Sequence, residues 1–149
     1  MQALTQTHLE DKNIAAPGIH PPSRILLLDD NVQFCELIKE FIELKSSYQI
    51  VTVHNGVDGV RKIMAEDFDM IACDMMMPRL SGDMFYRAVQ RVRPNLCERF
   101  VFITGNHTNP SVLDFINEAN GLMLSKPFPM HDLLDLFGFV KLRSLIRSS

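Results

Sequence analysis

The sequence predicts an α/β domain of the (βα)5 type, a doubly wound parallel sheet in strand order 2-1-3-4-5 with helices on both faces. Three observations carry this. From Arg24 onward, apolar runs of strand length alternate with segments of helical periodicity. The runs are continuously apolar, as parallel strands buried on both faces are, rather than alternating. Four of them end on polar residues: Leu26-Leu27-Leu28-Asp29-Asp30, Ile71-Ala72-Cys73-Asp74, Val101-Phe102-Ile103-Thr104 and Leu122-Met123-Leu124-Ser125-Lys126. In open α/β sheets, ligands bind just beyond the carboxyl ends of the strands.

Residues 1–23 lack apolar periodicity and contain Pro17-Gly18-Ile19-His20-Pro21-Pro22, so a disordered tail or linker remnant is expected there. The folded domain is expected over 24–146. Arg24 to Asp29 reads as the first strand. Phe34, Leu37, Ile38, Phe41 and Ile42 then recur at i, i+3, i+4, i+7 and i+8, the stripe of an amphipathic helix. Gln49 to Val53 is β-branched and strand-like. Val57, Val60 and Met64 mark a second helix, weakened by Gly56 and Gly59. Met70 to Cys73 is the third strand; Ser81 is a suitable N-cap for a helix with Phe85, Ala88, Val89 and Val92 inward.

Arg99 to Thr104 is the fourth strand. Asn109-Pro110 starts a fourth helix, Asn as cap and Pro in the first turn, where its missing N–H is not needed. Val112, Phe115, Ile116 and Ala119 form its stripe, and Asn120-Gly121 ends it. Leu122 to Ser125 is the fifth strand. Pro129 opens a last helix with Leu133, Leu136, Phe137 and Val140 inward.

Bulk properties exclude several classes. At 149 residues, 46% hydrophobic, the chain is long enough for one well-filled core. Net charge is −3 with no block of Lys or Arg, so direct nucleic-acid binding is not expected. The three cysteines (Cys35, Cys73, Cys97) lie far apart in apolar runs, without metal spacing, and read as reduced core thiols. No run approaches a membrane span and no signal-peptide core is present, so a soluble cytoplasmic protein is expected.

Strand order 2-1-3-4-5 sets the first strand beside the third, bringing Asp29 and Asp30 next to Asp74. Thr104 and Lys126 arrive on Asp74's other side, neighbouring strands being about 4.8 Å apart. Three carboxylates this close repel one another unless a cation is present. A hard divalent ion such as Mg²⁺ prefers such oxygen ligands and keeps waters, leaving a position for a phosphoryl oxygen. One carboxylate is then placed to act as nucleophile on phosphorus.

On these residues the chain resembles the receiver domain of two-component response regulators, over about Arg24 to Leu145. The matching residues are Asp29-Asp30, the segment Asp74-Met75-Met76-Met77-Pro78-Arg79-Leu80-Ser81-Gly82, then Thr104-Gly105 and Lys126-Pro127-Phe128. The resemblance implies a flavodoxin-like fold. It also implies that Asp74 accepts a phosphoryl group from a histidine kinase or histidine phosphotransfer protein. By the same resemblance Asp30 is the main Mg²⁺ carboxylate, Asp29 supports through water, and Asp74 and the backbone carbonyl of Met76 complete the ligands. Thr104 is the hydroxyl that moves to the phosphoryl group, Lys126 the cation beside it, and Lys126-Pro127 a cis peptide. No enzyme beyond Mg²⁺-dependent self-phosphorylation and autodephosphorylation is implied, and the phosphoprotein signals to a protein partner.

The departures are informative. Met123 stands where the family often carries an aromatic switch residue, which motivates an alternative: an atypical receiver acting as a phosphorylation-independent binding module. Neither Met76 nor Asn106 offers a base to a water attacking an acyl phosphate, so a long-lived phospho-Asp74 is expected. A phosphohydrolase with an Asp nucleophile would need a second Asp where Met76 sits. The acidic Asp29-Asp30-Asn31 would repel the phosphate of a flavin.

Other features have plainer readings. Asp29-Asp30 alone can cap the first helix. Met75, Met76 and Met77 fit packing better than a soft-metal box, since hard carboxylates surround them. His54, His107 and His131 share no ligand spacing and read as surface or loop residues, with His107 placed to touch a partner. The last helix carries Leu134, Phe139, Leu142, Leu145 and Ile146 outside its inward stripe. Such a patch marks an interface, and the resemblance puts dimerisation or output on the fourth helix, fifth strand and fifth helix.

Overall fold

A computed structural model describes residues 23–105 and 108–148. The expected tail, apart from Ser23, lies outside the described residues, as do Asn106 and His107 with the roles expected of them. The elements are β1 (Arg24–Leu28), α1 (Val32–Lys45), β2 (Gln49–Val53), α2 (Gly56–Ala65), β3 (Met70–Asp74) and α3 (Gly82–Val92). A 3-10 segment (Pro94–Arg99), β4 (Phe100–Thr104), α4 (Pro110–Glu118), β5 (Leu122–Ser125) and α5 (Met130–Ser148) follow. All strands pair in parallel in the order β2-β1-β3-β4-β5. Asp29 therefore falls just past β1, whereas Asp74 is the last residue of β3. Arg99, expected in β4, instead ends the turn that Pro94 starts.

The period of two along each strand divides the core into two layers. Leu26, Leu28, Ile71, Cys73, Phe100 and Phe102 face α2, α3 and α4. Ile25, Leu27, Met70, Ala72, Val101 and Ile103 face α1 and α5. Every residue of β3 and β4 is buried, the environment their unbroken apolar runs announced.

Helix faces depart from the sequence expectation in an instructive way. In α1 the buried positions are Cys35, Ile38 and Ile42, while Leu37 is 58% exposed. In α2 the inward face is Gly56, Gly59 and Ile63, leaving Val57 and Met64 more than half exposed. Apolar periodicity misplaces this face because glycine carries no hydrophobic signal, yet close approach selects it. A Cβ on Gly59 would lie 2.8 Å from Phe85 Cε1 and 2.9 Å from Leu28 Cδ2. In α3, Tyr86 is buried and Val92 partly exposed. In α5, Leu133, Phe137 and Val140 are fully buried as expected, and Leu134, read as outward, packs partly against the same layer.

Asn109 caps α4 by accepting from Ser111 N and Val112 N, and Asn31 caps α1 by accepting from Phe34 N. Ser81 takes the N-cap position of α3, but its hydroxyl donates to the Asp83 carboxylate and not to a helix N–H. That entry is anchored by Gly82 N–H, which donates to the Met75 carbonyl at 3.1 Å. A Cβ there would sit 2.8 Å from Met75 Cα and 2.9 Å from Asp74 O, backbone atoms that cannot rotate away. Gly82→Ala is expected to lower stability by about 1–3 kcal/mol through this overpacking. A urea midpoint equal to wild type would contradict that account.

Candidate functional site

The site stands where β1, β3, β4 and β5 end. Leu28 is in register with Cys73, Asp74 with Ile103 and Thr104 with Ser125. Each residue that follows a strand end is thus delivered to one edge. Asp29 N–H donates to Val53 O at 3.2 Å and Met75 N–H to Ile103 O at 2.9 Å, extending the sheet's pairing into the loops. Lys126 N–H donates to Thr104 O at 2.9 Å, holding the β5 exit against β4. The Lys126-Pro127 peptide is cis, as the resemblance implies.

Asp29, Asp30 and Asp74 come together, each offering a carboxylate oxygen within 4.8 Å of the others. Asp29 is fully buried, Asp74 nearly so, and Asp30 is exposed. Lys126 Nζ donates to Asp29 Oδ2 at 2.8 Å and to Asp74 Oδ2 at 3.4 Å. The remaining oxygens of the buried pair meet backbone donors: Asn31 N–H donates to Asp29 Oδ1 at 2.9 Å, and Met76 N–H to Asp74 Oδ1 at 3.0 Å. Because Asn31 performs the capping of α1, the acidic pair is not needed for it. Thr104 is fully buried on β4.

The electrostatics are those of a crowded acidic edge. Burial pushes the Asp74 carboxyl above its ordinary range, with Asp29 adding to the effect and the Met76 N–H and Lys126 opposing it. For Lys126, burial works against the ammonium, but Asp29 and Asp74 outweigh it and its pKa lies above the usual value. One ammonium among three carboxylates leaves two negative charges. A divalent cation taking hard oxygen ligands fits this donor set.

Residues beyond the sequence expectation also shape the site. The Lys126 ammonium lies 4.7 Å from the Phe34 ring centroid, and Phe128 packs edge-on to Phe34 at 5.8 Å. Phe34 reads in sequence only as part of the α1 stripe; its place one turn from Asn31 is the signal that puts it beside the acidic pair. His54, read as a surface or loop residue, lies with Nδ1 3.1 Å from Asp29 O and donates to it in the tautomer protonated there.

Met75 and Met77 are buried, as packing requires, while Met76 is 55% exposed beside Asp74. Met123 is half-buried against the layer containing Phe102 and Phe115, whose rings meet edge to face at 5.6 Å. Phe139 stands on α5 and is 51% exposed. Burial drives the Cys73 thiol well above its ordinary pKa and pushes Cys35 up to about 12, so both stay protonated packing residues. No helix among the described residues is long and apolar enough to cross a membrane.

Comparison with known proteins matches residues 25–137 to the response regulator receiver domain. The chain is 26% identical over 109 residues to the transcriptional regulatory protein GlrR of Escherichia coli, covering 72% of this chain and 24% of that protein. It is 27% identical over 106 residues to the transcriptional regulatory protein YclJ of Bacillus subtilis, covering 70% of this chain and 44% of that one. A receiver domain structure from Methanospirillum hungatei superposes with a TM-score of 0.76 at 22% identity, over 86% of this chain and 99% of that one.

A carboxyl whose pKa is raised by folding binds protons more tightly in the native state. It therefore destabilises the fold increasingly as pH rises from its unfolded value through its folded one. Without divalent ions, Asp74→Asn is accordingly expected to be more stable than wild type at neutral pH. The difference should vanish below the ordinary Asp pKa of about 3.9. Chemical denaturation in chelator across that range tests it, and an equal or lower neutral-pH stability of the variant would contradict the electrostatic account.

Proposed function

The chain belongs to the response regulator receiver domain family, and we propose on that footing that residues 24–146 form a phosphoacceptor switch. In this reading Asp74 takes a phosphoryl group from a histidine kinase or histidine phosphotransfer protein. The observation that carries it is the convergence of Asp29, Asp30, Asp74 and Lys126 at one sheet edge. A carboxylate oxygen of Asp74 attacks phosphorus, the P–N bond to the donor histidine breaks, and an acyl phosphate remains.

Mg²⁺ is the proposed ion, held by Asp30 and Asp74 with the Met76 carbonyl, and by Asp29 through water. When bound it neutralises the acidic cluster and the phosphoryl oxygens. The chain's own groups do the rest. Lys126 is already drawn up to Asp74 and can follow charge onto a phosphoryl oxygen. The Met76 N–H orients the carboxylate. The Thr104 hydroxyl is proposed to move to another phosphoryl oxygen. Phosphorylation adds about −1.5 to −2 charge at this edge. The shift of Thr104 would bias α4, β5 and α5, the surface proposed to signal to a protein partner.

We place the protein in the cytoplasm, as a signalling module with no turnover beyond Mg²⁺-dependent self-phosphorylation and dephosphorylation, and with no direct contact to nucleic acid. The match spans 24% of the Escherichia coli regulator and 44% of the Bacillus one, so any output activity belongs to the partner or to further sequence. Met123 supports a second reading, a phosphorylation-independent binding module, because no aromatic stands at that position of β5.

Intact-mass spectrometry with acetyl phosphate and Mg²⁺ separates the two. One phosphate should add to wild type and none to Asp74→Ala; a wild type that takes none leaves the binding module. The apolar, exposed Met76 gives an attacking water no base, so the acyl phosphate is expected to be long-lived. Met76→Asn should shorten its lifetime by about ten-fold or more, because the amide oxygen can accept a hydrogen bond from the attacking water and orient it. An unchanged dephosphorylation rate would count against Met76 as the cause.

A further inference from the structure

The end of the sheet opposite the acidic edge gathers positive charge that the order of residues conceals. A cavity of about 220 Å³ lies between the amino ends of β3 and β4 and the last turns of α5. Arg99, Lys141 and Ser144 line it, and Met70 and Leu145 supply apolar wall. Arg99 stands there because it ends the 3-10 turn and does not enter β4. Arg143 and Arg147 follow on the same helix, and Arg143 donates to Glu98 O at 2.7 Å, one residue before Arg99.

These cations lack the partners that others in the chain have. Arg24, Arg61, Arg93, Lys39, Lys62 and Lys126 each meet a carboxylate. Among the described residues, Arg99, Lys141, Arg143 and Arg147 form no such pair, and Lys141 Nζ lies 5.8 Å from the Tyr48 ring centroid. The Nε atoms of Arg99 and Arg143 are buried without an acceptor, so each guanidinium is partly stripped of water with nothing in exchange. Burial and Arg147 press the Arg143 pKa downward, with Glu98 opposing them. Asp69 also lines the cavity, but its Oδ2 accepts from Arg24 N–H at 2.7 Å. Four cations against Asp69 and Glu98 leave an excess of two positive charges. The carboxyl end of α5 offers them the equivalent of about half a negative charge, too little to balance the excess.

We propose that this cavity binds a small dianion of phosphate type, either inorganic phosphate or the phosphoryl group of a small organic molecule. The Arg99 guanidinium is a planar fork that suits two phosphate oxygens, and Lys141 adds a point charge on a flexible stem. Met70 and Leu145 give the organic part of such a ligand an apolar wall. The site lies at the far end of the strands from Asp74, and stands apart from the phosphoryl transfer proposed there.

Calorimetric titration of the full chain in chelator tests this, because without divalent ions the acidic edge repels anions. Inorganic phosphate and glycerol 3-phosphate are titrated separately at constant ionic strength, and one site per chain is expected. Tighter binding of glycerol 3-phosphate assigns the site to an organic phosphate, and equal or weaker binding assigns it to phosphate itself. Arg99→Gln and Lys141→Gln should each weaken binding by about ten-fold or more, as loss of a hydrogen bond to a charged group does. Arg61→Gln, which removes an exposed cation of α2, should leave it unchanged. Lys141 is exposed, so its variant reads out the site even where Arg99→Gln impairs folding. No binding of either anion up to about 10 mM overturns the proposal. So does binding that Lys141→Gln leaves unaltered, or that Arg61→Gln weakens as much.

Discussion

Two carboxylates buried side by side, Asp29 and Asp74, impose the condition that the rest of the site answers. Neither can be stripped of water without compensation. The fold supplies it from opposite sides: Lys126 Nζ reaches both at 2.8 and 3.4 Å, and the Asn31 and Met76 N–H groups take the remaining oxygens. Desolvation still dominates at Asp74, and its proton affinity stays high. The pocket is thus electrostatically incomplete by design of its residues, with Asp30 adding a third negative charge. A site in this condition gains from a cation, and the gain is available only where the acids already meet.

Holding those groups in place falls to parts of the chain with no chemistry of their own. The cis Lys126-Pro127 peptide follows directly on β5, and Lys126 N–H is tied to Thr104 O, so the lysine's origin is set by the β4–β5 pairing. Phe34 and Phe128 shape the apolar side of the ammonium. Gly82 lets α3 start against the backbone of Asp74 and Met75. On the opposite layer of the sheet, Phe100 and Phe102 stack at 5.2 Å and meet Tyr86 and Phe115. With Thr104 next in line on that face of β4, its neighbourhood is an aromatic cluster shared by α3 and α4, while Met123 fills in from β5.

Much of this is legible in the sequence, and the features that are not share a cause. The strands are legible because burial on both faces writes an unbroken apolar run, and the expected and observed β2 and β5 agree to the residue. Polar residues at run ends pointed to the edge that carries Asp29, Asp74, Thr104 and Lys126. Helix faces are less legible. Leu37, Val57 and Met64 satisfied an apolar period yet face solvent, while Cys35, Gly56 and Gly59 face the core. Hydropathy measures what a side chain prefers, whereas a helix packed on a sheet is chosen by how closely its backbone can approach. His54 reaches the site only through the pairing of β2 with β1, which no spacing encodes, whereas the spacing of Phe34 from Asn31 does carry its place there.

By itself, the order of residues determined the alternation of five strands and five helices, the two-sided burial of the sheet and the edge on which its acids and lysine emerge. These follow from local periodicity and from where apolar runs stop. The tertiary structure decided the rest: which acid Lys126 approaches most closely, that Asn31 and not the acidic pair caps α1, and which residues of α5 remain uncovered. Those outcomes depend on distances between elements remote in sequence, and such distances are set by packing, where volume and approach compete and hydropathy alone has no say.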